Sequence, residues 1–257
     1  MARTDSFDRY SLRYDSWFEK YPFVFQSELE AIRSLLPPGG QGIEIGVGTG
    51  RFALSLSITQ GVEPSKAMAD IARKRGIEAI EGVAESLPFP DNHFDFVLMV
   101  TTICFVDDVE QALRESHRVL KPGGFLILGF IDRDSFLGQK YSKDKLKNVF
   151  YRDATFYSPG EVKQYLQQAN FGHFEFRQTL FNPLENIKAV EPVKEGYGEG
   201  SFVVLQAQKL ENNKSNFDKT RSEKVKGVLY YLAPALLDTD MVFSTISLSQ
   251  FVCSRQK

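Results

Sequence analysis

The stretch "GIEIGVGTGRF", residues 42–52, decides the fold of the chain. Its first four residues are typical of a short strand, and the glycines at 46, 48 and 50 predict a tight turn into a helix that begins at Arg51. Turns of this kind normally receive a nucleotide-like ligand at the helix N-terminus. The glycines alone are weak evidence, because an ordinary strand-to-helix turn can have the same composition.

Short apolar runs alternate with helix-like patterns after this turn. Phe94–Val100 is almost continuously apolar, as expected for a parallel strand buried on both faces. The other predicted strands lie near Gly61–Glu63, Ile77–Ile80, Phe125–Ile131, Phe174–Leu180 and Phe202–Gln208. This alternation predicts an α/β fold with a parallel sheet, in which ligands bind outside the carboxyl ends of the strands.

Capping signals predict where several helices begin. Ser27 and Glu30 have capping-box spacing, which predicts a helix over residues 27–36. The sequence "SPGE" at residues 158–161 combines an N-cap serine, a proline at the first helical position and an acid at the third. Asp107 is predicted to cap the helix that follows the central strand.

Composition narrows the class of protein. The chain has 257 residues, 42% of them hydrophobic, and a formal net charge of −2 without a concentrated basic face, which argues against nucleic acid as a partner. Cys104 and Cys253 match no metal or redox spacing, so no metal site is predicted. The N-terminus has no apolar signal core, and the run Val228–Leu237 is far shorter than the roughly 20 residues of a membrane span. We therefore expect a cytoplasmic protein.

The residues around the glycines indicate which ligand the turn receives. A dinucleotide site needs a third glycine at position 51, where this chain has Arg51. Glu44, two residues before the first glycine, is well placed for a ligand ammonium group. Glu63, at the end of the next strand, can accept hydrogen bonds from two ribose hydroxyls, each contributing about 1.5–3 kcal/mol. S-adenosylmethionine has a ribose, a cationic end and no phosphate, so it fits better than NAD.

Four motifs together resemble the class I S-adenosylmethionine-dependent methyltransferases. They are "EIGVGTG", "GVEPS", "AESLPFPDNHFDFV" and "HRVLKPGGFLIL", and the resemblance is greatest to the small bacterial group of ubiquinone/menaquinone-type enzymes. It covers roughly residues 40–209. It implies a Rossmann-like, mostly parallel sheet of seven strands with helices on both faces. The last strand, Phe202–Gln208, would insert antiparallel beside the strand at Phe125.

The resemblance also implies roles for individual residues. Glu44 and Gly46 would lie near the methionine amino group, Glu63 would bind the ribose, and Ala84 would offer its backbone N–H to the adenine. Where the family has an acid before this alanine, the chain has Val83, so either Glu85 substitutes or packing holds the adenine. With Thr101 at the end of a central strand, the predicted cofactor-binding residues are Glu44, Gly46, Gly48, Gly50, Glu63, Pro64, Ser65, Ala84, Glu85 and Thr101.

The predicted function is transfer of a methyl group to a small-molecule acceptor by in-line displacement, with S-adenosylhomocysteine as product. The cofactor is already activated, so alignment of the acceptor is the main requirement and no catalytic residue is predicted. One alternative is a non-catalytic protein that only binds S-adenosylmethionine. A second alternative, an NAD-dependent oxidoreductase, is disfavoured by Arg51.

Candidate acceptor-binding residues come from two segments. Tyr10, Tyr14 and Trp17 recur at helical spacing in an N-terminal segment that covers the active site in the family, although such stripes more often belong to a core. Thr102 and Cys104 follow the central strand, although a free cysteine is more often a small buried hydrophobe. The linker at residues 181–200 is long enough to be a lid or disordered.

The predicted organisation has four parts. Residues 1–40 form a helical lid segment and residues 41–209 the methyltransferase domain. Residues 210–226 form a polar linker. The tail at residues 227–257 has no clean periodicity, so packing on the core, dimerisation and loose order stay open, as does the choice between monomer and homodimer.

Overall fold

The computed structural model of the protein describes residues 4–211. The helices are α1 (Asp5–Lys20), α2 (Pro22–Arg33), α3 (Arg51–Ser55), α4 (Lys66–Lys74), α5 (Val109–Val119), α6 (Phe136–Asp144) and α7 (Pro159–Gln168), with 3-10 turns at Lys145–Lys147 and Leu184–Asn186. The strands are β1 (Gly42–Ile45), β2 (Gln60–Glu63), β3 (Glu78–Glu81), β4 (Phe94–Val100), β5 (Leu120–Ile131), β6 (Phe171–Thr179), β7 (Lys194–Glu195) and β8 (Phe202–Lys209). The predicted tail at 227–257, and all of the predicted linker except residues 210 and 211, lie outside the described residues.

The strands form one mixed sheet in the order β3-β2-β1-β4-β5-β8-β6-β7. Neighbours among the first five strands of this order pair in parallel. β8 inserts antiparallel between β5 and β6 with Phe125 opposite Gln208, which confirms the predicted position of the last strand. The order reverses between β1 and β4, and the carboxyl ends of these two strands open the crevice where ligands bind in such sheets.

The sheet has eight strands where seven were predicted. The additional strand, β7, contains only Lys194 and Glu195 and pairs with β6 at the edge of the sheet. Two residues are too short for any alternating pattern, so the sequence carried no signal for it. The linker at residues 181–200 therefore has some regular structure of its own.

Helices cover both faces of the sheet. Leu98 and Val100 of β4 belong to one apolar cluster, together with buried residues of α2, α3 and α4. Val97 and Met99 belong to a second cluster, with buried residues of α5 and α7. This division explains why β4 is almost continuously apolar in sequence. No helix within residues 4–211 is both long and apolar enough to cross a membrane.

The predicted start of the second helix was wrong. α2 begins at Pro22, where a proline is well tolerated because the first helical N–H needs no partner. Ser27 lies inside the helix, and its hydroxyl donates to the carbonyl of Phe23 at 2.6 Å. The same hydroxyl accepts from the backbone N–H of Glu191 at 2.8 Å. Ser27 therefore holds the linker before β8 against α2 and caps nothing.

Of the two other capping predictions, one is confirmed and one is wrong by a residue. The capping box at residues 158–161 is confirmed, since the Ser158 side chain and the Glu161 carboxylate each accept from the other's backbone N–H. α5 is capped by Asp108, which accepts from the N–H of Gln111 at 2.9 Å, and not by Asp107. An error of one residue is expected where two aspartates adjoin, because both satisfy the sequence preference.

Candidate active site

A cavity of about 860 Å³ opens beyond the carboxyl ends of β1, β2 and β4 and is bordered by α1. The predicted cofactor-binding residues that line it are Gly46, Gly48, Glu63, Pro64, Ala84, Glu85 and Thr101. The predicted acceptor-binding residues that line it are Tyr14, Trp17 and Thr102. The remaining predicted site residues, Glu44, Gly50, Ser65, Tyr10 and Cys104, do not border this cavity.

Glycine is required at the three positions of the turn for different physical reasons. All have positive φ, at 70°, 56° and 80° for Gly46, Gly48 and Gly50. A Cβ on Gly46 would meet the Thr102 hydroxyl, and a Cβ on Gly50 would press on Ala72 of α4, so these two positions serve packing. A Cβ on Gly48 would meet nothing closer than 3.7 Å, which leaves room for a ligand to approach the backbone.

Gly46→Ala is expected to lower the free energy of unfolding by about 1–2 kcal/mol, because the left-handed backbone is strained for alanine and the new methyl group clashes with Thr102. Urea denaturation measures the change. Gly39→Ala is the matched control, since a Cβ there meets nothing within 4 Å and φ is not positive. Equal stability of the two variants would contradict the strain argument.

Glu63 is a buried carboxylate at the edge of the cavity, with an exposed fraction of 7%. Its Oε2 accepts from the backbone N–H of Gly48 at 2.8 Å, and its Oε1 accepts from that of Ser65 at 2.9 Å. Burial raises the pKa of Glu63 to about 7, although these two amides oppose the shift. A carboxylate has about four lone-pair sites, so two remain for ligand hydroxyls.

Glu44 lies behind the turn, with an exposed fraction of 2%. Burial raises the pKa of Glu44 well above its usual range, the Ala53 amide opposes this, and the charge of Glu63 adds to it. Its Oε2 has no hydrogen-bond partner among residues 4–211. Two neighbouring buried acids favour a cation, because a nearby positive charge stabilises their ionised form.

Some of the residues predicted to bind adenine border the cavity, whereas others are engaged in hydrogen bonds within the protein. Pro64 and Ala84 border the cavity, but the Glu85 Oε1 accepts from the backbone N–H groups of Asp107 and Asp108 at 2.8 and 3.3 Å. Glu85 therefore fixes the segment that leads into α5. Ser65 is buried as the N-cap of α4.

Helix α1 borders the cavity through Phe7, Tyr14 and Trp17. Burial raises the pKa of Tyr14, and the nearby side chain of Thr101, which has a positive φ of 50° at the end of β4, opposes the shift. The Tyr14 ring packs edge-on against Phe7 at a centroid distance of 5.9 Å. Tyr10 lies at a kink in α1, outside the cavity lining, and its ring contacts Phe150.

Ion pairs attach α1 to the glycine turn, a feature that the sequence reasoning missed. The Asp15 carboxylate accepts from the Thr49 hydroxyl at 2.7 Å and from the guanidinium groups of Arg51 and Arg75, with shortest distances of 2.7 Å. Nearer the helix N-terminus, Asp8 accepts from the Ser65 hydroxyl at 2.6 Å. Arg51 occupies the position where a dinucleotide site would need its third glycine. In the structure its side chain helps to hold the helix that covers the cavity.

Cys104 faces a separate small space beside Tyr151 and Phe156. Its thiol donates to the carbonyl of Thr101 at 3.2 Å, and burial raises the pKa of Cys104 to about 12. It is therefore a protonated, buried thiol at neutral pH. Within residues 4–211 no group of three or more His, Cys, Asp or Glu side chains is arranged to hold a metal ion.

Glu28 of α2 is a second buried carboxylate in the cavity lining, and the sequence reasoning missed it as well. The available signal was its spacing from Val24 and Ile32, which places it on the apolar stripe of a helix that begins at Pro22. Starting the helix at Ser27 moved Glu28 into the first turn, where an acid is ordinary.

Comparison with known proteins agrees with this geometry. A family model described as a methyltransferase domain matches residues 43–128. The chain is 47% identical over 204 residues to the uncharacterized protein MJ1123 of Methanocaldococcus jannaschii. The aligned region covers 79% of this chain and 98% of that protein. It is 33% identical over 146 residues to a demethylmenaquinone methyltransferase of Chlorobaculum tepidum, covering 50% and 60% of the two chains.

A solved structure from Thermotoga maritima is similar over the same extent. That protein, described as a "SAM-dependent methyltransferase, possible histamine N-methyltransferase", is 54% identical, with a TM-score of 0.78 and coverage of 79% of this chain and 98% of its own. The chain belongs to the class I S-adenosylmethionine-dependent methyltransferases. The Rossmann-like fold predicted from the four motifs is thereby confirmed.

Proposed function

We propose that the protein transfers a methyl group from S-adenosylmethionine to a small molecule bound in the same cavity. The observation that carries the proposal is the continuity of the cavity, which joins the glycine turn and Glu63 to aromatic residues of α1 and α6. Its volume of about 860 Å³ falls within the range of roughly 300–1,000 Å³ that small-molecule sites occupy.

The residues near the turn fit the cofactor. Glu63 would bind the ribose hydroxyls with its free lone pairs, Gly48 would allow close approach to the backbone, and Glu44 would stabilise the cationic end through its charge. Pro64 and Ala84 would lie beside the adenine. The chemistry supplied by bound S-adenosylmethionine is an activated methyl group on a sulfonium.

The contribution of the chain is alignment and exclusion of water. Holding an acceptor in line with the methyl group is worth up to about 7–11 kcal/mol in favourable cases. α1 covers the cavity through Phe7 and Tyr14, and its ion pairs fix it above the turn. A covered cavity of this size supports a small acceptor over a macromolecule.

Calorimetric titration with S-adenosylmethionine, S-adenosylhomocysteine and NAD tests the cofactor. We expect binding of the first two and none of NAD, because Arg51 replaces the third glycine and is engaged by Asp15. Tight binding of NAD alone would overturn the proposal.

Transfer is tested by incubating the protein with methyl-labelled cofactor and cell extract, followed by ultrafiltration. Label in the small-molecule fraction is the expected result. Label found only in the macromolecular fraction would contradict a small acceptor, and absence of label with intact cofactor binding would favour a protein that binds the cofactor without catalysis.

A further inference from the structure

We propose that the acceptor is a small cationic amine whose ammonium group binds the Glu28 carboxylate among the aromatic side chains of the cavity. This inference rests on the proposed function, because it names the chemical class of the acceptor for the same site. The starting observation is a buried carboxyl group that neither the cofactor residues nor the fold explains.

Glu28 lies in the middle of α2 and faces the cavity. Its exposed fraction is 5%, and it shares the buried stripe of the helix with Val24 and Ile32. Burial raises the pKa of Glu28 to about 8, with no hydrogen bond from any described residue to oppose the shift. An uncompensated buried carboxylate is costly to a fold, so its presence in a cavity lining indicates a ligand that compensates it.

Aromatic rings from three parts of the chain line the same cavity as this carboxylate. Besides burial, the charge of Glu28 raises the pKa values of Tyr14 on α1, Tyr141 on α6 and Tyr151 in the segment before α7. The rings of Tyr141 and Tyr151 lie 4.7 Å apart, and all three tyrosines border the cavity. Aromatic faces attract cations, so a cavity lined by both tyrosines and a carboxylate suits an ammonium group.

The distribution of other charges supports a cationic ligand. The lining cations Arg13, Lys20, Lys140 and Lys147 have exposed side chains, and Lys140 is 3.8 Å from Glu185. Within residues 4–211, no salt bridge involves Glu28, so none of these cations competes with a ligand for its carboxyl group. Val24 and Ile32, which share the buried stripe of α2 with Glu28, belong to the apolar cluster against which Tyr141 and Tyr151 pack, so Glu28 lies at the aromatic part of the cavity.

The same carboxylate can accept the proton that an amine must lose before methylation. One proton moves from the ammonium nitrogen to a Glu28 oxygen, and the freed lone pair forms the nitrogen–carbon bond. The methyl–sulfur bond breaks with its electron pair retained by sulfur, and the proton passes from Glu28 to solvent. The tyrosines stay neutral in the neutral pH range, because burial raises their pKa values.

Calorimetry with S-adenosylhomocysteine present throughout tests the binding site separately from activity. The probes are primary arylalkylamines, including 2-phenylethylamine and histamine, each paired with the alcohol of the same carbon skeleton. We expect an amine to bind at least about 30-fold more tightly than its alcohol and Glu28→Gln to abolish this preference. Glu185→Gln is the matched control, since Glu185 also lines the cavity but is exposed.

Proton release is a second readout that a merely structural role for Glu28 would not change. At pH 7 the free carboxyl is mostly protonated, so pairing with an ammonium should release roughly one proton per amine, measured in buffers of different ionisation enthalpy. Glu28→Gln should release none and should fold at least as stably as the parent protein, because the amide removes a buried ionisable group.

Three outcomes would overturn the inference: equal binding of the alcohols, equal proton release in Glu28→Gln, or no binding of any amine while S-adenosylhomocysteine still binds. The last outcome leaves the proposed function standing. Failure of the parent protein to bind S-adenosylhomocysteine would overturn the proposed function instead.

Discussion

Replacing Glu63 by alanine is expected to weaken binding of S-adenosylhomocysteine by at least about 100-fold, since two charge-assisted hydrogen bonds to the ribose contribute about 1.5–3 kcal/mol each. The loss of affinity has a second cause, which is the glycine turn. The backbone N–H groups of Gly48 and Ser65 donate to the same carboxylate, so its removal also releases the loop that the ligand contacts. Isothermal titration calorimetry measures the change.

Two variants separate ligand binding from folding. Glu63→Gln keeps an acceptor oxygen for the turn and is expected to lose less affinity than the alanine variant. Glu81→Ala is the matched control, because Glu81 ends the neighbouring strand β3 with an exposed side chain outside the cavity. If Glu63→Ala bound the ligand as well as Glu81→Ala does, the ribose would have to lie elsewhere.

Asp15→Asn is expected to lower the free energy of unfolding by about 2–3 kcal/mol at pH 7, because it leaves two partly buried guanidinium groups without their anion. Arg51 and Arg75 have exposed side-chain fractions of 22%, so solvent screens them in part and the loss stays below that of a fully buried pair. The matched control is Glu19→Gln, since Glu19 also contacts Arg51 but is 73% exposed. Urea denaturation gives both values.

The effect of Asp15 depends on pH with a definite sign. Burial would raise the pKa of Asp15, but hydrogen bonds from Arg51, Arg75 and Thr49 outweigh it and hold the pKa well below its usual range. The contribution to stability is therefore complete above the unfolded pKa of about 3.9 and is lost as the pH falls toward the folded pKa. A difference between parent and Asp15→Asn that grew on acidification would contradict this assignment.

The sheet and the part of the cavity at the glycine turn follow directly from local sequence patterns. The continuous apolar run of β4 and the glycine turn after β1 each report a local geometry, and their order along the chain fixes the topology. Glu63 could be placed at the cavity for the same reason, because the end of a strand next to the glycine strand has one position in this kind of sheet.

The proposed acceptor end of the cavity could not be predicted in this way, because distant segments build it. Asp15 meets Arg75 across 60 residues, and nothing local in either segment indicates the pair. Glu28 was hidden by a false capping box at Ser27, which shifted the start of α2 by five residues from Pro22 and so misassigned the buried stripe. Local motifs therefore predict the part of the cavity at the glycine turn, whereas the proposed acceptor end depends on how α1, α2 and α6 pack.

The most direct test is a crystal structure of the protein with S-adenosylhomocysteine bound. We expect the ribose hydroxyls to lie within hydrogen-bonding distance of the Glu63 oxygens and the ligand to contact the backbone of Gly48. The sulfur should be directed toward the space in front of Glu28. A nucleoside bound in any other place, with Glu63 retaining only its bonds to Gly48 and Ser65, would contradict it.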